Sequence, residues 1–131
     1  MATWKSDELD KIEKVEELRI ASLRKDGTLR TPVIIWVVRL GSDLYVRCVN
    51  GRSGAWFRGT QTRRAGHIRA GGVDKDVTFE DGDPALNDQI DTAYRTKYHR
   101  YAASIINSVV SPEARSATIK LVPSDKPMRT I

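Results

Sequence analysis

The chain has 131 residues, 40% hydrophobic and 30% charged, enough for one soluble domain with a real core and unlike a disordered or membrane-spanning composition. Its longest apolar run, 32–38, is strand-length and far short of the ~20 residues of a membrane helix, and acids (Asp7, Glu8) stand where a signal peptide would carry its apolar segment. The single cysteine, Cys48, excludes an internal disulfide framework and fits a reducing compartment, so a cytoplasmic location is expected.

In chain order, Ser6 reads as a helix N-cap followed by acids that suit the positive end of the helix dipole. Leu9, Ile12, Val15 and Leu18 recur at three-residue spacing and predict a helix over about 6–17. The period then changes to two, giving a strand from Leu18. Asp26-Gly27 is the strongest hairpin signal, and the returning strand over 29–40 tolerates Pro32 near its start. Gly41-Ser42-Asp43 turns into a third strand at 44–49. Asn50-Gly51-Arg52-Ser53-Gly54 breaks that strand with residues suited to positive φ. A short helix over 55–63 opens from the loop, so that backbone N–H groups point into it.

Strands at 66–70 and 73–80 form a hairpin through Gly71-Gly72. Asp83-Pro84 starts a helix over about 84–101, which carries Leu86, Ile90, Ala93 and a tyrosine stripe (Tyr94, Tyr98, Tyr101), with Asp91 and Arg95 as an i,i+4 pair. Residues 102–110 read equally as helix or packed loop. Ser111-Pro112 punctuates, 117–122 is a last strand, and 123–131 is a loose tail. Strands joined by tight turns with helices at the margins argue for α+β, an antiparallel sheet or β-barrel of about six strands with peripheral helices, as one domain over 1–131.

The net charge of +5 is unevenly placed: residues 19–70 hold ten arginines, one lysine and two acids, so that stretch is +9 and the remainder −4. Arginine's planar fork grips phosphate or carboxylate at two points. Alternation puts Leu44, Val46 and Cys48 on one face of their strand and Tyr45, Arg47 and Val49 on the other. Arg30, Arg47, Arg52 and Arg58 around the 50–54 loop therefore predict a compact phosphate pocket. The competing reading is a solvated basic face paired with the acidic N-terminal helix. Trp56 either stacks beside a bound ring or belongs to the core, whereas Trp36 is assigned to the core and Cys48 to a buried apolar position. His67 and His99 have no metal-ligand spacing, and no nucleophile–base pair is visible.

Thr28-Leu29-Arg30-Thr31-Pro32-Val33 on one strand, Leu44-Tyr45-Val46-Arg47-Cys48-Val49-Asn50-Gly51 on the next, and Ala55-Trp56-Phe57-Arg58 beyond resemble the split-barrel flavin-binding superfamily, especially its small deazaflavin-dependent reductases. With Gly59-Thr60-Gln61 and 66–73, nearly the whole chain is identified as a member of a bacterial family known as domain of unknown function 2255. The resemblance implies a split barrel that binds FMN or a deazaflavin (F420-type), with oxidoreductase activity as the expectation. The cofactor phosphate would be held by Arg30 and Thr31 from one strand, Arg47 and Val49 (through its backbone) from the next, and Asn50, Arg52 and Ser53 from the loop. It also implies a homodimer with the cofactor at the subunit interface. Two alternatives stand beside it: a nucleic-acid-binding module, disfavoured because the strands lack base-stacking aromatic pairs, and a cofactor-free structural dimer.

Overall fold

The alternating first half of the chain does build a sheet. The computed structural model describes residues 3–124; the tail at 125–131 lies outside the described residues. Helix α1 (Ser6–Lys14) leads into β1 (Glu17–Ser22), β2 (Val33–Trp36), β3 (Val38–Leu40) and β4 (Asp43–Arg47). After a 3-10 turn (Gly51–Ser53) come α2 (Ala55–Arg63), β5 (Ala65–Ala70) and β6 (Val73–Asp81). A second 3-10 turn (Pro84–Leu86) precedes α3 (Asn87–Lys97), α4 (Ala103–Val109), α5 (Pro112–Ser116) and β7 (Thr118–Pro123). All strand pairs are antiparallel, in the order β2-β1-β5-β6-β7-β4-β3. The two edge strands are separated in sequence by Val37 alone, so the sheet curls into a nearly closed barrel. The expected α+β barrel is therefore present.

Seven strands replace the expected six because the 29–40 strand is broken at Val37. Trp36 pairs with Glu17 of β1, whereas Val38 pairs with Tyr45 of β4. Val37 itself takes its hydrogen bonds from α3 and the residue after it. Its N–H donates to the Tyr98 hydroxyl at 3.1 Å, and its carbonyl accepts from Lys97 Nζ at 2.8 Å. The seam of the barrel is thus fastened by side chains.

Several local expectations shift. Helix α1 ends at Lys14, because Glu17 and Leu18 join the β1–β2 ladder instead of extending the three-residue spacing. The N-cap is Lys5, whose N–H donates to Glu8 Oε1 at 2.9 Å, not Ser6. Asp83 caps the 3-10 turn through the Ala85 N–H at 3.0 Å, and α3 starts only at Asn87 and stops before Tyr98 and Tyr101. Residues 103–109 are helical. Within the 50–54 loop only Gly51 adopts positive φ, +74°.

Two apolar clusters follow from the strand alternation. Leu18, Ile20, Leu44, Val46, Cys48, Phe57, Ile68, Val77, Phe79, Ile119 and Leu121 fill the barrel, with Trp4, Leu9 and Ile12 of the N-terminal segment packed alongside. Val38 and Tyr45, on the opposite faces of β3 and β4, meet Ile90, Tyr94, Tyr98 and Val109. Helices α3 and α4 therefore cover the outer face of β4. The tyrosine stripe packs as expected, with Tyr94 and Tyr98 fully buried. Among the described residues no helix is long and apolar enough to cross a membrane.

Candidate functional site

The cover that α3 and α4 lay over β4 decides the fate of Arg47. Its side chain is on the outer face, as alternation requires, but that face is not open: Arg47 is 3% exposed. Its guanidinium ion-pairs with Asp91 of α3 and donates to the Val109 carbonyl at 3.1 Å, to Thr118 Oγ1 at 3.0 Å and to Asn87. Arg115 Nε reaches the other Asp91 oxygen at 2.9 Å. Burial pushes the Asp91 pKa up, but the hydrogen bonds from Arg115 and Arg47 outweigh it and hold the carboxyl below its usual range. Asp91 thus serves Arg47 and Arg115, not the expected i,i+4 partner Arg95. A guanidinium with every donor engaged has none left for a cofactor phosphate, which corrects the phosphate-facing role expected of Arg47.

Arg30 is in the opposite situation. It follows the Arg24–Thr28 turn, its N–H donating to the Ser22 carbonyl at 2.9 Å, and it lines a cavity of about 240 Å³ with Ser22, Thr31, Val33, Ala55, Trp56 and Thr60. Its Nε is buried and has no hydrogen-bond partner. Ala55 and Trp56 are the first two residues of α2, so the positive end of that helix dipole faces the same space. Helix α2 comes this close because of Gly59: a Cβ there would stand 2.6 Å from Ser22 Oγ and 3.2 Å from Arg30 Nε.

A second cavity, of about 300 Å³, adjoins the first and shares Val33 and Trp56 with it. Its walls are mostly apolar: Ile34, Ile35 and Trp36 of the edge strand β2, Val49, and Ile105 and Val109 of α4, with Ser108 and Arg47. Ile34, Val49 and Ile105 are the large hydrophobic side chains left exposed among the described residues, and all three face this one cavity. Trp56 is half-buried, packs on the barrel core and borders both cavities, so the two readings of it meet in one residue.

The remaining expected site residues lie apart from Arg30. Arg52 is exposed, donates to the Ser116 carbonyl at 3.0 Å and covers the Phe57 ring at 5.0 Å. It borders a different cavity with Asn87, Pro112 and Arg115. Ser53 donates to the Asn50 carbonyl at 3.4 Å, and Asn50 and Arg58 are exposed. The structure brings Arg30, Thr31 and Trp56 together, with Val49 beyond Trp56. The alternative basic face is realised in part, since Arg39 pairs with Asp10 at 2.9 Å and Glu13 at 3.5 Å on α1. Arg64 and Arg69 face Asp81 and Asp74 on β6. Cys48 is buried in the barrel, and that burial raises its thiol pKa. Among the described residues no group of three or more His, Cys, Asp or Glu side chains converges for a metal ion.

Sequence reasoning missed Ser22 and Thr60, whose hydroxyls give no local signal, and Ile34, Ile105 and Ser108. One clue was available: apolar residues at both parities in 33–38 mean that neither face of that strand is simply solvent.

A family model described as "Uncharacterized protein conserved in bacteria (DUF2255)" matches residues 8–121. No curated protein matches the sequence. Among solved structures, the conserved hypothetical protein Rv2991 from Mycobacterium tuberculosis superposes with a TM-score of 0.65 at 8% identity, covering 96% of this chain and 83% of that one. A protein called an F420 reductase superposes with a TM-score of 0.57 at 14% identity, covering 92% of this chain and 95% of that one. At such identities the likeness bears on the fold alone.

Proposed function

We propose, for a chain that belongs to the bacterial DUF2255 family, that the paired cavities bind a phosphate-bearing flavin or deazaflavin (FMN or an F420-type cofactor) and that the protein is an oxidoreductase. The observation that carries this reading is the polarity of the pair. One cavity is lined by Arg30, for which no carboxylate partner stands among the described residues, and by the first residues of α2, and the next offers apolar walls and a tryptophan to a ring. Arg30, Thr31, Ser22 and the first turn of α2 would hold the phosphate. Trp56, Val49 and the side chains of β2 and α4 would hold the ring and exclude water from it. Val49, Asn50, Arg52, Ser53 and Arg58 remain candidate contacts at the mouth, reachable by a longer polar tail.

A phosphate charge about 4 Å from Arg30 gains roughly 4 kcal/mol of gross attraction at an effective dielectric near 20, before desolvation is subtracted. When bound, the cofactor supplies hydride or electron transfer; the protein's part is to bind, orient and keep the site dry. The salt partners of Arg39, Arg64 and Arg69 weigh against a nucleic-acid surface, because those cations already face carboxylates. In the same reading two copies meet across the exposed Ile34 edge, which light scattering on the eluting protein would show as a doubled mass.

The deciding experiment is an absorbance spectrum of the purified protein followed by titration with FMN and with a deazaflavin. Micromolar binding of either is the expected result, and failure of both sinks the proposal.

A further inference from the structure

We propose that Trp36 and Tyr101 form a one-electron relay from the apolar cavity to the protein surface, with Glu16 as its proton acceptor. Trp36 is a wall of the cavity, which is where this inference rests on the reading above. On its far side its ring stacks flat on Tyr98, with centroids 3.9 Å apart and planes 5° from parallel, and it touches Tyr101 at 4.9 Å. Rings in contact exchange electrons readily, so the direction is set by what each ring can do with a positive charge and a proton.

Three tyrosines adjoin this cluster, and only one is equipped to lose both. Tyr94 lies 6.1 Å beyond Tyr98, but its hydroxyl has no proton acceptor and the Arg47 guanidinium sits over its ring at 5.6 Å, which opposes a further positive charge. Tyr98 donates its proton to the Glu16 carbonyl at 2.6 Å, and a carbonyl is too weak a base to keep it. Tyr101 donates to the Glu16 carboxylate, Oε1, at 2.9 Å. That hydrogen bond, with the Arg100 ion pair, keeps Glu16 ionised below its usual pKa. Tyr101 is half-buried next to the exposed Arg100, at the solvent end of the cluster.

A one-electron oxidant in the cavity, such as a photo-excited flavin, takes one electron from Trp36. Tyr101 returns one electron to Trp36 while its hydroxyl proton passes to Glu16 Oε1. The products are the reduced oxidant, a neutral Tyr101 radical and a protonated Glu16, with Trp36 restored. A soluble thiol at the surface can then repair Tyr101. The relay removes a stray oxidising equivalent from a site where it would damage the cleft.

The test uses the full chain with no cofactor present. Pulse radiolysis with azide radical oxidises tryptophan, and absorbance follows the tryptophanyl radical as it decays and the tyrosyl radical as it grows. The expected transfer is first-order and independent of protein concentration. Tyr101→Phe, which keeps the ring and removes only the hydroxyl, abolishes the tyrosyl product; Trp36→Phe does the same although Trp4 and Trp56 are still oxidised. Glu16→Gln slows the transfer by about tenfold, the low end of what a positioned base contributes. Unchanged rate and yield in Tyr101→Phe or Trp36→Phe would overturn the relay, and an unchanged rate in Glu16→Gln would remove Glu16 from it. Since no flavin is in the sample, failure of cofactor binding and failure of the relay are read separately.

Discussion

Arg30 and Arg47 are neighbours in charge, in chemistry and in expected role, yet they occupy opposite environments. Arg47 is enclosed by α3, α4 and β7 with Asp91, Thr118, Asn87 and the Val109 carbonyl on its donors. Arg30 borders an open cavity with its Nε unpartnered. Charge count cannot distinguish the two. What distinguishes them is whether the fold has already supplied the counter-charge: an arginine with an internal carboxylate holds the structure together, and one without is available to a ligand.

The sharpest way to break that contrast is to exchange the consequences. Arg47→Met leaves Asp91 buried with only Arg115, so a loss of about 3 kcal/mol is expected in urea unfolding, the low end for breaking a buried pair. Adding Asp91→Leu to that variant should restore part of the loss; no recovery would mean that the pair is not what holds α3 on β4. Arg30→Met should do the reverse. Its melting temperature stays near wild type, while affinity for FMN falls by about thirtyfold, the ~2 kcal/mol of one charge-assisted hydrogen bond. A large stability loss in Arg30→Met would erase the distinction.

Acid separates the regions further. Asp91 has a folded pKa below its unfolded value, so the stability it contributes is complete above about pH 4, the unfolded carboxylate value, and drains away as the pH falls through the folded one. Thermal melts between pH 5 and 2 should show this slope, and the Arg47→Met, Asp91→Leu double variant should show less of it. Gly59→Ala probes the cavity without touching charge. The gain of about 1 kcal/mol in helix propensity offsets the crowding against Ser22 and Arg30, so stability holds while FMN binding is lost. The smallest effect belongs to Tyr94, whose buried hydroxyl meets only the backbone of Arg47 among the described residues. Tyr94→Phe is expected to change stability by less than about 1 kcal/mol, and a larger loss in denaturant titration would mean that this contact is a full hydrogen bond in solution.

What the sequence disclosed, it disclosed through local signals. The 55–63 helix, the Gly71-Gly72 hairpin and the parity of β4, with Leu44 and Val46 inward and Arg47 outward, could all be read from period and turn chemistry. The break in the 29–40 strand could not, because Trp36-Val37-Val38 carries no glycine or proline. The partners that divert Val37 are Tyr98 and Lys97, some sixty residues away. Asp91 illustrates the same limit from the other side: the local pairing rule points to Arg95, and the tertiary fold offers two better cations. For the site, Arg30, Thr31 and Trp56 line one cavity, whereas Arg52, which the 50–54 loop and the family resemblance group with them, borders another cavity beside α5.

Val37 carries one more consequence. No ladder joins β2 to β3, yet the two edges stay covalently joined through Val37, so what can loosen at the seam is the fastening from the end of α3. The amide of Val37, buried and hydrogen-bonded to the Tyr98 hydroxyl outside any strand ladder, should exchange with deuterium at the rate at which α3 undocks, ahead of the ladder amides of β5 and β6.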